Sequence, residues 1–253
     1  MKALIKKWVV RIFRFLRLDR VHYKNTILPP KYLRLCGKHF KQNSDFLVSS
    51  QNEATRLVQH LGLTSKSSVL DVGCSVGRLP IGILDQVGDI RLYCGIDVSK
   101  DAILWCQCYI SSRHPNYQFI HIDVNNPLYN PKGKEIEIDF ELPFNDHEFD
   151  IIYLYSVFSH MTTEDVRSYL KEFRRILAPS GKIFLTAFIA DGVPDISINP
   201  PDYSLKKWLF PLHCVRYNKD FFLTLLAENN FIVDQINYEK ETDGQSALYI
   251  SKK

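Results

Sequence analysis

The sequence predicts a doubly wound α/β domain with a mainly parallel sheet, and two observations support this prediction. From about residue 68 onward, short apolar runs alternate with segments whose apolar residues recur at helical spacing. The chain has 253 residues, of which 45% are apolar and 24% charged, as is typical of a folded globular protein. Strands that alternate with helices imply right-handed crossovers and a sheet covered on both faces.

The first 20 residues predict a basic amphipathic helix. One face collects seven apolar side chains at helical spacing: Leu4, Ile5, Trp8, Val9, Ile12, Phe15 and Leu16. Residues 1–24 carry eight basic side chains and one acid, a charge of +7, whereas the rest of the chain carries −3. Such a helix is typical of a membrane-surface element, so we expect residues 1–20 to make peripheral contact with an anionic membrane. The alternative is a helix packed on the domain with its basic face in solvent.

The composition of the remaining chain argues against several classes of protein. Its mildly acidic balance disfavours nucleic acid as a partner. No run of about 18 uncharged apolar residues is present, so no membrane-spanning helix is expected. The six cysteines show no C-x-x-C spacing, so we expect neither a metal site nor a disulfide framework, and a cytoplasmic location fits best.

The expected organisation has three parts and one insertion. They are the basic helix at residues 1–24, a helical extension at 25–67, and a domain at 68–253 that contains an insertion at 190–218. The extension should be irregular over residues 25–49, where Pro29 and Pro30 stand together, and helical over residues 52–63.

Within the domain, the elements follow from the apolar runs and the helical patterns. Strands are expected at residues 69–72, 91–96, 119–122, 149–155, 182–188, 231–238 and 247–251. Helices are expected at residues 77–84, 102–111, 164–177 and 220–228. Pro80 is compatible with the first of these helices, because the first helical turn does not need its N–H.

Ligands of such sheets bind beyond the carboxyl ends of the strands. The first strand leads into a glycine-containing turn at residues 71–78, where the following helix offers free N–H groups. The second strand ends near Asp97, twenty residues after Gly77, where a carboxylate can bind both hydroxyls of a ribose. The alternatives are a turn that binds nothing and an Asp97 that caps the next helix. Ser99 is better placed for that cap, which would leave Asp97 free.

Two other enzyme classes use a similar turn. A dinucleotide-binding G-x-G-x-x-G is disfavoured, because Ser75 stands at the second glycine and Arg78 at the third. Residues 73–77 also match the G-x-S-x-G nucleophile elbow, in which Ser75 would attack with help from a later histidine such as His213. This serine hydrolase stays as an alternative, although it leaves Asp97 and Asp123 unexplained.

Both turns, after the first strand and after the second, are features of one family. Over roughly residues 50–253 the sequence resembles the class I S-adenosylmethionine-dependent methyltransferases. Six motifs carry the resemblance, in order, at residues 69–74, 95–99, 121–124, 142–150, 156–161 and 177–181. They are similar to the family's cofactor loop, its ribose-binding strand end, its adenine-side acid, the lead into strand four, the segment after that strand, and the turn before strand five.

The resemblance implies a Rossmann-like fold, with a seven-stranded, mainly parallel sheet and an antiparallel last strand, and S-adenosylmethionine as the cofactor. The cofactor-binding residues that it implies are Asp71, Gly73, Cys74, Ser75, Gly77, Asp97, Val98, Asp123, Val124 and Ser156. By analogy, Asp71 and Gly73 would lie by the methionine portion, Asp97 by the ribose and Asp123 by the adenine amine. The alternative for Asp123 is an acid that starts the turn at residues 125–127.

The sequence departs from the family at Ser75 and Ser180, where glycine is usual. Ser180 belongs to a turn remote from the cofactor. Serine is small, so cofactor binding at Ser75 should survive if its φ is negative.

The resemblance implies transfer of an activated methyl group to an oxygen or nitrogen of an unidentified acceptor, which we expect to be a small molecule. The protein would mainly align the donor and the nucleophile. His160 is the titratable side chain best placed to act as a base, and a structural histidine in that turn is the alternative. Residues 190–218 would form a lid over the acceptor or a satellite hydrophobic cluster. The rival to an enzyme is a non-catalytic, methyltransferase-like binding protein at a membrane surface.

Overall fold

The structure is a computed structural model that describes residues 19–35, 37, 39–137, 139–202, 208 and 210–253. The chain divides into two compact units. The first unit includes the chain up to Ser65 and Cys74–His121, and the second includes Lys66–Gly73 and Ile122–Lys253. Most of the predicted amphipathic helix falls on residues 1–18, outside the described residues. None of the described helices is long and apolar enough to cross a membrane.

The elements of the described residues follow one another along the chain. The strands are β1 (Val21–Tyr23), β2 (Thr26–Leu28), β3 (Ser68–Val72), β4 (Leu92–Asp97), β5 (Tyr117–His121), β6 (Phe149–Leu154), β7 (Leu177–Ala190), β8 (Ile196–Ile198), β9 (Val215–Asn218), β10 (Phe231–Asn237) and β11 (Ser246–Lys252). The helices are α1 (Asn43–Leu61), α2 (Arg78–Gln86), α3 (Lys100–Cys106), α4 (Thr163–Ile176) and α5 (Lys219–Glu228). A π-helical turn at Gln107–Ser111 extends α3.

In the first unit, β4 and β5 pair in parallel, and α1 packs against α2. The two helices approach closely at Gly82, because a Cβ there would lie 1.9 Å from the carbonyl oxygen of Ser50. Residues 25–49 were expected to be irregular, and this prediction was wrong in part. β1 and β2 form an antiparallel hairpin, and α1 begins at Asn43, nine residues before the expected helix. The part of α1 that was missed, residues 43–51, buries Ser50 as well as Phe46 and Leu47, and the polarity of Ser50 interrupts the apolar pattern.

The second unit contains a five-stranded sheet in the order β10-β11-β7-β6-β3. β3 and β6 pair in parallel, as do β6 and β7. β11 is antiparallel to both of its neighbours, β7 and β10. Within the insertion at residues 190–218, β8 pairs with β9, and β9 pairs in parallel with the far end of β7.

β7 is longer than expected, because the predicted turn at residues 177–181 is a bulge within it. Phe149 pairs with Leu177 and Ile151 with Lys182, so a step of two residues on β6 faces a step of five on β7. The chain curls tightly here, since a Cβ on Gly181 would lie 2.6 Å from Leu177 Cδ1. Ser180 occupies this bulge.

The predicted fold class is confirmed. Five of the seven expected strands lie in the second unit and two in the first. The pairs β3–β6, β6–β7 and β4–β5 are parallel, and β11 is antiparallel. Along the chain, helices follow β3, β4, β6 and β9. This is the mainly parallel, Rossmann-like α/β architecture with an antiparallel last strand.

Candidate functional site

Asp71 and Gly73 lie at the carboxyl end of β3, in the second unit. Asp71 is buried within the strand, and Gly73 has φ +76°. A Cβ on Gly73 would lie 2.7 Å from Cγ2 of Val157, which packs over the glycine. Both the backbone conformation and the close contact therefore require glycine at this position.

Cys74, Ser75 and Gly77 continue the turn in the first unit. The N–H of Cys74 donates to the carbonyl of Ile96 (3.1 Å), and the N–H of Gly77 donates to that of Cys74 (3.0 Å). Gly77 has φ +72° directly before α2, where a Cβ would lie 2.7 Å from Ile110 Cδ1. The backbone of residues 74–77 thus forms a tight turn directly before α2.

Ser75 does not meet the condition set from the sequence, because its φ is +48° and not negative. Its N–H donates to Oδ2 of Asp97 (2.8 Å), and this bond joins two of the expected site residues. A non-glycine residue in the left-handed region costs of order 1 kcal/mol. Ser75 therefore adopts, at a cost in stability, a conformation that glycine would adopt freely.

Asp97 ends β4 and holds the turn together. Its Oδ1 accepts from the N–H of Ser99 (2.7 Å), and its Oδ2 accepts from that of Ser75 (2.8 Å). The expectation that Ser99 caps α3 and leaves Asp97 free was wrong. Ser99 occupies the N-cap position without a side-chain cap hydrogen bond. Each carboxylate oxygen still has acceptor capacity for a hydroxyl.

Burial raises the pKa of the Asp97 carboxyl, while the two backbone N–H groups and the nearby His121 oppose that rise. His121 also lies against Val98, whose carbonyl accepts from its Nε2 at 3.1 Å. The side chains of Asp97 and His121 and the backbone of Ser75 and Val98 therefore form one cluster in the first unit.

Asp123 and Val124 begin a closed loop in the second unit. Asn130 Nδ2 donates to Oδ1 of Asp123 (3.0 Å) and to the carbonyl of Val124 (3.0 Å). The N–H of Lys134 donates to the carbonyl of Asp123 (2.9 Å). Asp123 is exposed. It closes this loop through one carboxylate oxygen, which agrees with the turn-forming role, and the adenine-binding role stays a prediction.

Ser156 follows β6 in the left-handed region, with φ +59°. Its N–H donates to Thr186 Oγ1 (2.8 Å), and its Oγ accepts from Gln245 Nε2 (2.8 Å). Thr186 Oγ1 in turn donates to Gln245 Oε1 (2.7 Å). Ser156 is therefore held by both its backbone and its side chain. Thr186 and Gln245 were missed at the sequence level, because neither belongs to a motif.

His160 lies four residues further on, at the meeting point of three loops of the second unit. Its Nδ1 is 3.2 Å from the carbonyl of Leu212, and its own carbonyl accepts from Asn126 Nδ2 (3.2 Å). The rings of Tyr129 and His213 lie 6.1 Å and 6.5 Å away, centroid to centroid. Burial lowers the pKa of His160, so its ring is neutral at pH 7. With Nδ1 donating to Leu212, Nε2 is the unprotonated nitrogen, which can accept a proton.

The structure brings the expected residues together in each unit. In the first unit, Ser75, Asp97 and Val98 belong to the cluster that also contains His121, and Cys74 and Gly77 lie in the adjoining turn. In the second, Gly73 contacts Val157, next to Ser156, and Ser156 Oγ lies 3.1 Å from that of Ser159, next to His160. Asn126 connects the loop that begins at Asp123 to His160.

Comparisons with known proteins point to one family. A family model described as a methyltransferase domain matches residues 69–181. Demethylmenaquinone methyltransferase of Staphylococcus saprophyticus is 27% identical over 155 residues, which are 60% of this chain and 58% of that protein. The chain spans between 29% and 58% of the lengths of the curated relatives that it matches.

Solved structures show the same fold. A Pyrococcus horikoshii protein superposes with a TM-score of 0.57 at 19% identity, over 88% of this chain and 96% of its own. Magnesium protoporphyrin IX methyltransferase of Synechocystis, solved with bound S-adenosylmethionine, gives a TM-score of 0.56 at 14% identity, over 88% and 90%. At these identities the likeness shows the fold alone.

The matches favour a methyltransferase over the serine hydrolase. A strained serine between a strand and a helix would also suit a nucleophile elbow, so the conformation of Ser75 does not separate the two. The matched domain includes all six motifs in full and ends at the last residue of the sixth, residue 181. The family-model match over residues 69–181 and the curated relatives support a class I S-adenosylmethionine-dependent methyltransferase.

Proposed function

We propose that this protein is an enzyme that transfers a methyl group from S-adenosylmethionine to an oxygen or nitrogen of a small-molecule acceptor. The observation that carries the proposal is the Asp97 carboxylate, which two backbone N–H groups fix at the end of β4. This is where the family resemblance puts the acid that binds the ribose.

The residues present fit this cofactor. Asp97 keeps acceptor capacity on both oxygens after its two backbone bonds, as binding of two hydroxyls requires. Gly73 and Gly77 adopt the left-handed conformations of a sharp turn before α2. Ser75 adopts one as well, so its replacement of glycine preserves the shape of the turn.

In this proposal, the chain binds and orients the cofactor and the acceptor. S-adenosylmethionine, when bound, supplies a methyl group that its sulfonium has already activated, so alignment of the reactants provides most of the rate. Asp97 would orient the ribose, Asp71 and Gly73 the methionine portion, and Asp123 the adenine amine.

His160 would remove the proton from the acceptor nucleophile. Its neutral ring supports this role, because only the neutral form can accept a proton. The Leu212 carbonyl fixes the tautomer that presents Nε2. The His160→Gln variant should retain cofactor affinity and lose methyl transfer by about 100-fold, in the range of general acid–base catalysis.

The test is incubation of the full chain with methyl-labelled S-adenosylmethionine and fractionated cell extract. We expect label to appear in a small-molecule fraction and to be strongly reduced with the Asp97→Ala variant. Label confined to protein or nucleic acid would contradict a small-molecule acceptor. Cofactor binding without any transfer, across all fractions, would favour the non-catalytic alternative.

A further inference from the structure

We propose that Gln245 is a positioning residue that sets the glycine turn of the cofactor loop, although it lies in the turn between β10 and β11, outside every cofactor motif. The inference rests on the proposed function and adds to it. It concerns only residues of the second unit.

Ser156, Thr186 and Gln245 form a closed ring of hydrogen bonds. The Ser156 N–H donates to Thr186 Oγ1, Thr186 donates to Gln245 Oε1, and Gln245 Nε2 donates back to Ser156 Oγ, at 2.8, 2.7 and 2.8 Å. Gln245 and Thr186 are 2% and 0% exposed. Both ends of the Gln245 amide are used, its oxygen as an acceptor and its nitrogen as a donor, so an apolar side chain of similar size would break the ring at two points.

The backbone of Ser156 is strained. Its φ of +59° is costly for a residue with a Cβ and persists only where the surroundings enforce it. The ring of hydrogen bonds stabilises this strained conformation, because it binds both the N–H and the Oγ of Ser156. Removal of Gln245 would release the side chain and leave Thr186 without its acceptor.

Val157 connects Ser156 to Gly73 in the cofactor loop. Val157 follows Ser156, and its Cγ2 lies only 2.7 Å from the place that a Cβ on Gly73 would occupy. Val157 can therefore cover Gly73 only while Ser156 keeps its conformation. By this path, Gln245 fixes the position of Gly73, which the family resemblance puts beside the methionine portion of the cofactor.

The experiment compares two ligands across a set of full-length variants. S-adenosylmethionine contains the methionine portion, whereas 5′-methylthioadenosine has the adenosine without the amino acid. Calorimetry would give the affinity of both for the wild type, Gln245→Met, Ser156→Ala and the double variant. Gln235→Met is the matched control, because Gln235 is exposed on β10 and its side chain bonds to Asn237.

We expect Gln245→Met to weaken S-adenosylmethionine binding about tenfold, as for a buried group left without its partner. Binding of 5′-methylthioadenosine should be unchanged. The double variant should be no weaker than the weaker single variant, since both changes break one ring. The control should match the wild type.

Equal weakening of both ligands, effects that multiply in the double variant, or an unchanged Gln245→Met would each overturn the inference. If Gln245→Met does not fold, Gln245→Glu takes its place, because it keeps the acceptor for Thr186. Compared with the wild type at the same pH, which corrects for the titration of Asp97, it should bind S-adenosylmethionine weakly at neutral pH and recover as the introduced carboxyl protonates and donates to Ser156. No recovery on protonation would count against the inference. A wild type that binds neither ligand would instead contradict the proposed function.

Discussion

At the scale of single residues, the ends of the strands hold most of the information about function. The sequence identified Asp97 by its distance from Gly77, because spacing along a β–α–β segment fixes where an acid falls. It could not show the bonds of Asp97 or the φ of Ser75, because both depend on how the chain closes the turn. Gln245 was equally invisible, since its partners are 59 and 89 residues away along the chain.

Ser75→Gly should raise the free energy of unfolding by about 1 kcal/mol, because glycine adopts a positive φ without the Cβ clash. Chemical denaturation would measure it. Ser75→Ala is the control, since it removes the hydroxyl but keeps the Cβ, and it should give no gain. Equal stability of the glycine variant and the wild type would show that Ser75 is not strained.

Cofactor affinity should fall as the pH is lowered through the raised pKa of Asp97. The protonated carboxyl is a weaker acceptor for ribose hydroxyls, and because burial raises its pKa, it protonates above the usual aspartate value of about 3.9. Calorimetry between neutral and mildly acidic pH should show a decline in the wild type. Asp97→Asn should bind more weakly at neutral pH with a flatter profile. Identical profiles would assign the dependence to another group.

At the scale of elements, boundaries depended on contacts that the pattern did not reveal. The helix at residues 164–177 was placed within one residue, as its apolar stripe is regular and Thr162 and Asp165 form a capping box. α1 was placed nine residues late, because the buried Ser50 has the polarity of a surface position. The bulge in β7 was expected as a separate turn, since Pro179 and Gly181 punctuate loops and bulges alike.

The N-caps of α3 and α4 should differ in their contribution to stability. Thr162 Oγ1 accepts from the N–H of Asp165 (3.2 Å), so Thr162→Ala should lower the free energy of unfolding by about 1 kcal/mol. Ser99 makes no such bond, so Ser99→Ala should be nearly neutral. Thermal or denaturant unfolding of both variants checks this. A larger loss at Ser99 would mean that its hydroxyl caps α3 after all.

At the scale of the whole molecule, the charge of the chain is segregated. Residues 1–24 carry +7 and the rest −3. The structure shows that Asp19, the first of the described residues, is anchored in the first unit. Asp19 is buried, its carbonyl accepts from Trp105 Nε1 (2.8 Å), and its carboxylate accepts from the Tyr109 hydroxyl. A truncation that spares the fold should therefore end at residue 18.

We propose that residues 1–18, the basic leader, attach the protein to anionic membranes. Deletion of residues 1–18 should lower co-sedimentation with anionic vesicles and leave the free energy of unfolding unchanged, because it keeps Asp19. Deletion of residues 1–24 should lower both, since it also removes Asp19 and β1. Vesicle binding that survives the shorter deletion would contradict the role of the leader.

We expect S-adenosylmethionine to bind at the turn after β3 and at Asp97, the last residue of β4. Titration calorimetry of the full chain with S-adenosylmethionine tests it most directly. We predict binding at one site per chain, weakened by at least about tenfold in Asp97→Ala, because loss of a charged hydrogen-bond acceptor costs about 1.5–3 kcal/mol. Absence of binding at millimolar cofactor, with the protein folded, would contradict the claim.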